Sequence, residues 1–415
     1  MKIHIIGGGT FTHVRSHLAL AAPAFGETAK HISELFNADK RILDRGFEVC
    51  LHLTRMAGGS KDAPVTNEDV ADLVNELVQD SDTRIIIFSV ALADYQGHID
   101  DVPSGKYAKR LQTRVEQEVH MVLTPTDKII GTIRKNRKDI FLVGFKTTTG
   151  ETSDVQYQRG LSLLKSNSCN LVLANDTQTR NNMIISPEES RLMEDVDRSK
   201  VLENLVDIVL HRTNLHFSST KMVDADPIPW NSHLVSKNFR EVVDHCIANK
   251  AYQALNNKTA GHFCIRTGEN EFLSSQRKVN HNETSKNGLV RLTVNEQGEI
   301  TCYGRNKPSA GATSQWQLLK DYPEAQYIVH FHCPLKQSAS DSINIQSQRE
   351  FECGSLECGI NTSNGIKKFG DGIWAVMLDN HGPNILWNDS VRSADVISFI
   401  ERNFKLGEKV GGNVS

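Results

Sequence analysis

Five short apolar runs recur through the first half of this chain, read as KIHIIGGG, FEVCLHL, RIIIFSVAL, DIFLVGF and CNLVLAND. Between them lie ETAKHISELFNA, NEDVADLVNELVQ and QRGLSLLKS, stretches with helical spacing of their apolar residues. A strand that is apolar at consecutive positions needs cover on both faces, and intervening helices supply it. The pattern therefore predicts βαβ units around a mostly parallel sheet over residues 1–215. Such sheets hold ligands at the carboxyl ends of their strands. The informative residues of this half fall there: Gly8, Gly9 and Thr10, then Asp94, then Gly144 and Phe145, then Asn175 and Asp176.

A helix, RSKVLENLVDIVLHR at 198–212, closes this first domain, and residues 216–233 read as a linker with two prolines and no persistent period. Residues 234–415 begin with a helix, NFREVVDHCIANKAYQAL, and continue as strands: HFCIRT, GLVRLTV, EITCYG, YIVHFHC, GIWAVML and NILW. A last helix follows in SVRSADVISFIERNFKL, giving a second α/β domain with more antiparallel character. Two domains is also what 415 residues imply, because one core does not grow to that size. With 47 Lys and Arg against 50 Asp and Glu, the net charge of −3 gives no reason to expect a nucleic-acid or membrane partner. No apolar run is long enough to span a bilayer, and MKIHIIGGGT is unlike a signal peptide. The 8 scattered cysteines suit reduced thiols in a cytoplasm. Cys353 and Cys358 are badly spaced for a zinc knuckle.

In the first half, GGGT at 7–10 lets backbone N–H groups approach a phosphate, or simply makes a tight strand–helix turn. Further motifs follow in order: ALADYQG, LTPTDKIIGTI, LVGFKTTTGET and NLVLANDT. The ordered set resembles the phosphopantothenoylcysteine synthetase (phosphopantothenate–cysteine ligase) family over roughly residues 1–210. That resemblance implies a Rossmann-like nucleotide fold, dimerisation, CTP or ATP with Mg2+, and activation of a phosphopantothenate carboxylate for attack by cysteine. The residue types suit the task. Asp94 can hold a ribose or metal, Lys106 can neutralise phosphate charge, Phe145 can flank a base and Asn175 can read its edge. Lys165 lies near the lysine region that precedes the family's Asn-Asp pair. The chain departs from the family after the glycines, where VRSHLALAAPAFGET puts Ala19 about where an asparagine is expected.

In the second half, His330 and His332 stand two apart in IVHFHCP, so in a strand they share a face. His381, in VMLDNHGPNILW, sits in a turn where packing gives no reason for it. Three neutral imidazoles with one open position are a catalytic zinc set. The segments TAGHFCIR, KPSAGATSQWQLLKDYPEAQYIVHFHCP and DNHGPNILW resemble the class II aldolase/adducin family over about 236–405. The resemblance implies Zn2+ on His330, His332 and His381, a tetrameric lyase-type enzyme, or a metal-free assembly module of the adducin kind. The family's acid/base glutamate falls at Gly311, which cannot transfer a proton, and its phosphate turn reads Gly261, His262, Phe263 and Cys264. Glu352 and Glu357 in FECGSLECG are alternative acids, Glu357 preferred.

The expectation is a cytoplasmic homo-oligomer fusing a nucleotide-dependent ligase-like domain to a zinc-dependent lyase-type domain. Its partners would be a nucleotide, phosphopantothenate or a related acid, and a small phosphorylated or oxygenated carbon compound. One alternative makes the first domain a nucleotide-binding module without ligase activity.

Overall fold

Residues 1–100, 102–112 and 118–412 are described by the structure, a computed structural model. They divide into two units. The first comprises Met1–Glu151, Arg159–Ile184 and Met193–Thr213; the second comprises Thr152–Gln158, Ile185–Leu192 and Asn214–Ser415.

In the first unit the five apolar runs form strands Glu48–Leu53, Lys2–Gly7, Thr83–Phe88, Phe141–Thr148 and Leu171–Asp176, neighbours in that order and all parallel. Strands Asn182–Ile185 and Arg191–Asp195 extend the sheet to seven. Ile3, Ile5, Ile6, Ile85, Ile86 and Ile87 are all fully buried, as consecutive apolar residues in a sheet covered on both faces must be. Helix Asn67–Gln79 starts where a capping box predicts: Thr66 accepts from the Asp69 amide, and the Asp69 side chain accepts from the Thr66 amide. Helix Glu27–Ala38 packs so tightly on the first strand that a Cβ at Gly7 would lie 2.2 Å from Cβ of Ala29.

The second unit is a ten-stranded, mostly antiparallel sheet between helices. Strand Tyr327–His330 is interior to it, between His262–Gly268 and Gly382–Trp387. Alternation sorts its side chains. Tyr327 and Val329 join one core with Phe239, Val243, Phe399 and Ile400 from helices Lys237–Ala248 and Ser393–Asn403. Ile328 joins the opposite core with Leu318 and Leu319 from helix Ala312–Asp321. Both faces being covered, the sheet reads as an α/β/α layer arrangement. The stretch expected to be an irregular linker is not one throughout. Its strand Thr220–Val223 pairs in parallel with Ile300–Tyr303 and forms an edge of this sheet, in a segment that carries no proline.

Candidate metal centre and nucleotide edge

The strand Tyr327–His330 stops at His330, so His332 lies past its last residue, contrary to the expectation of one strand carrying both. The two rings nonetheless stay together, with centroids 5.0 Å apart. His381 arrives from the turn between Ile373–Leu378 and Gly382–Trp387, its ring 4.6 Å from that of His330 and 4.8 Å from that of His332. Gly382 permits this approach. Its φ is +138°, and a Cβ there would lie 2.1 Å from the Phe331 carbonyl oxygen. Among the described residues, His330, His332 and His381 form the group whose possible ligand atoms all lie within 4.8 Å of one another, and all three are buried.

Hydrogen bonding orients the set. His330 Nδ1 donates to the Pro383 carbonyl at 2.8 Å, leaving Nε2 for a ligand; that Nε2 is 3.2 Å from His381 Nε2. Two nitrogens on a tetrahedral zinc, each about 2.0–2.1 Å from it, stand about 3.3 Å apart. Burial first, then the neighbouring His381, His262 and His332, push His330 well below the ordinary imidazole range, so it stays a neutral donor. The donor set fits a divalent metal with an affinity for nitrogen.

A fourth histidine adjoins the cluster. His262 is in direct register with His330, and their ring centroids are 4.7 Å apart. Ser274 Oγ donates to Gln315 Oε1 at 2.8 Å, and Gln315 Nε2 donates to His262 Nδ1 at 2.9 Å, which leaves the His262 proton on Nε2. Its ring fills the space beside Gly311. A Cβ there would lie 2.5 Å from both Cδ2 and Nε2 of His262. Ser274 and Ser275 are buried in this hydrogen-bonded interior. Glu357 heads helix Leu356–Gly365, and its carboxylate accepts from His216 Nδ1 at 2.6 Å and the His216 amide at 3.0 Å. Burial works to raise its carboxyl, but the His216 bonds outweigh that and hold it below its usual value.

In the first unit several of the residues singled out from the sequence serve the fold itself. Gly8 has φ +108° and no room for a Cβ, which would lie 2.1 Å from Thr54 Oγ1; Gly9 packs as closely on the Ala22 carbonyl. Thr10 is fully buried and donates to Asn67 Oδ1 at 2.6 Å. Asp94 forms an exposed ion pair with Lys128. Gly144 and Phe145 lie on strand Phe141–Thr148, Lys165 is exposed on helix Ser153–Asn167, and Lys106 lies over the Tyr107 ring at 5.9 Å. The Asp176 carboxylate accepts from the amides of Gly150, Glu151, Gln178 and Thr179 and from the Thr148 hydroxyl. Burial opposes its charge, yet those bonds hold it far below the carboxylate range. A pocket of about 210 Å³ opens beside it, lined by Asn175, Asp176, Thr177, Arg180, Asn182, Val196 and Arg198.

Residues 45–206 match the family of the DNA/pantothenate metabolism flavoprotein C-terminal domain, and residues 241–406 match the class II aldolase and adducin N-terminal domain family. The chain carries one domain of each family. Similar solved structures include the following. The DNA/pantothenate metabolism flavoprotein of Streptococcus pneumoniae is 24% identical, covering 50% of this chain and 98% of that one, with a TM-score of 0.42. The C-terminal domain of a coenzyme A biosynthesis bifunctional protein is 18% identical over 50% of this chain and 93% of that one, with a TM-score of 0.36. The L-fuculose-1-phosphate aldolase of Thermus thermophilus is 15% identical over 39% and 86% of the two chains, with a TM-score of 0.27. No curated protein matches.

Sequence reasoning assembled the histidine trio of the aldolase-type domain but missed what surrounds it. His262 was visible only as a departure from a phosphate turn; its place beside His330 depends on strand register. Glu189 and Lys409, which also reach the cluster, lie outside the 241–406 match and carry no motif.

Proposed function

We propose that the second unit is a metal-dependent enzyme of the class II aldolase type, holding Zn2+ on His330, His332 and His381. The bound metal would supply Lewis acidity toward an oxygen of a small phosphorylated or oxygenated carbon compound. The convergence of three buried imidazoles, with one Nε2–Nε2 separation of 3.2 Å, carries this reading. His330 is held as a neutral ligand by the Pro383 carbonyl, and His262 closes the side of the site where residue 311 has no side chain. Glu357 is committed to His216, and we assign it no proton transfer.

The first unit, in the same reading, binds CTP or ATP with Mg2+ along its carboxyl edge and acts as a phosphopantothenate–cysteine ligase-type domain. Asp94 and Lys106 would meet the nucleotide's ribose, metal or phosphates, Gly8 and Gly9 its backbone-bound groups, and Asn175 and Phe145 its base. The arginines in the pocket at Asn175 support an anionic ligand. A cytoplasmic homo-oligomer is the state that both resemblances suggest.

Elemental analysis of the purified protein tests the centre. About one equivalent of zinc is expected, falling below about a tenth in His332→Ala. Nucleotide binding by the first unit should survive that substitution, whereas Asp94→Ala should weaken it in a calorimetric titration. A zinc-free protein that also fails to take up added zinc would reject the enzymatic reading in favour of an assembly module.

A further inference from the structure

The histidine cluster is gripped by two segments outside the aldolase-family match. The second unit includes Ile185–Leu192 and the end of the chain. Residues 186–190 form a turn closed by Ser186 N–Ser190 O at 3.1 Å and Glu189 N–Ser186 O at 2.9 Å, with Glu189 at φ +66°. This turn carries the Glu189 carboxylate to His332, with Oε2 3.8 Å from Nδ1. Lys409 Nζ pairs with the same oxygen, and the two side chains are 3% and 6% exposed respectively. The Tyr157 hydroxyl donates to the Glu189 carbonyl at 2.6 Å and accepts from Lys409 at 3.4 Å. The next residue, Ser190, donates to the carbonyl of Asn380, beside His381. Val410 N donates to the His332 carbonyl at 2.9 Å.

A buried carboxylate is costly unless it is paired, so its presence here calls for a reason. Metal-bound histidines hold their outer ring nitrogen on a carboxylate or a carbonyl, which fixes the tautomer and raises ligand basicity. His330 already does so on Pro383. We propose that Glu189 is the equivalent positioning residue for His332. Its carboxylate faces Nδ1, 3.8 Å away, as the outer, proton-bearing nitrogen and leaves Nε2 for the metal, while Lys409 balances its charge. This inference rests on the metal reading above. It also means that a residue within 45–206, the region matching the pantothenate-metabolism family, completes the centre of the aldolase-type domain.

The test uses the full-length protein, zinc affinity by chelator competition, and the visible spectrum of the cobalt-substituted form. Glu189→Gln keeps the shape but removes the charge, and should weaken zinc binding about 10–100-fold and change the cobalt spectrum. Glu194→Gln, an exposed change elsewhere on the chain, should do neither. Zinc affinity within about twofold of the unaltered protein, with an unchanged cobalt spectrum, would overturn the proposal. Should Glu189→Gln lower the melting temperature of the metal-free form, Glu189→Gln with Lys409→Met removes both charges and decides the matter. Weakened zinc binding in that pair supports positioning; restored affinity overturns it. A failure of the unaltered protein to bind zinc would instead sink the metal reading itself.

Discussion

Gly311→Ala is the sharpest probe of how the centre of the second unit is packed. Gly311 caps helix Ala312–Asp321 with φ −75°, a conformation open to any residue, so the only obstacle is steric. A new Cβ would lie 2.5 Å from two atoms of the His262 ring, where contact distance is about 3.5–4.0 Å, so the ring must retreat by about 1 Å. It has little freedom to do so, being held by Gln315 at 2.9 Å and backed by the His330 ring at 4.7 Å. Overpacking of this kind costs about 1–3 kcal/mol. Leaving the buried Gln315 amide without its acceptor adds about 1–3 kcal/mol. The expected loss is therefore about 2–6 kcal/mol. All four tryptophans, Trp230, Trp316, Trp374 and Trp387, lie in the second unit, so urea unfolding followed by their fluorescence reads that unit alone. His262→Ala should relieve the clash, so the double variant is expected to be more stable than additivity allows by about 1–3 kcal/mol. A Gly311→Ala protein within about 0.5 kcal/mol of the parent, or strict additivity in the cycle, would refute the packing argument.

Two further outcomes concern each unit separately. Phe239 touches the rings of Trp230, Phe263, Tyr327 and Trp387, and Phe239→Ala should cost about 3–5 kcal/mol by the same fluorescence assay, with a shifted native emission. In the first unit, burial and then the neighbouring His52 push His4 down to about 4, with His4 Nδ1 3.0 Å from His52 Nε2. An imidazole depressed in the folded state favours the neutral form. Its contribution is present above the unfolded value of about 6.5 and is lost as pH falls from there toward 4. Amide exchange in strand Lys2–Gly7, corrected for intrinsic rates, should accelerate across that window, and His4→Gln should flatten the response.

What could be read from the sequence was local. Helix Asn67–Gln79 was legible because its apolar residues recur at helical spacing, and the five parallel strands because their apolar residues are consecutive. The histidine trio was legible because two histidines stand two residues apart and a third sits in a turn, although His332 lies past the end of the strand expected to carry it. The strand Thr220–Val223 was missed because prolines nearby masked a four-residue edge. In the first unit, Gly8 and Asp176 serve the fold: Gly8 through close packing and Asp176 by tying up a loop, neither of which local sequence shows.

Glu189 shows where local reading ends. In sequence it is one of two glutamates in a short turn between strands Asn182–Ile185 and Arg191–Asp195, the kind of position where a carboxylate is usually solvated. Nothing within a few residues predicts burial; that comes from Tyr157, Lys409 and His332, which are far apart in the chain and meet only in the folded second unit. A buried charge is then informative because it is expensive. The fold must supply a counter-charge, here Lys409, and an apolar pair of similar size would have cost less. The histidine that this carboxylate faces has two more buried imidazoles beside it, those of His330 and His381. A buried ion pair beside clustered neutral histidines is the arrangement that the cation proposed between the rings would account for.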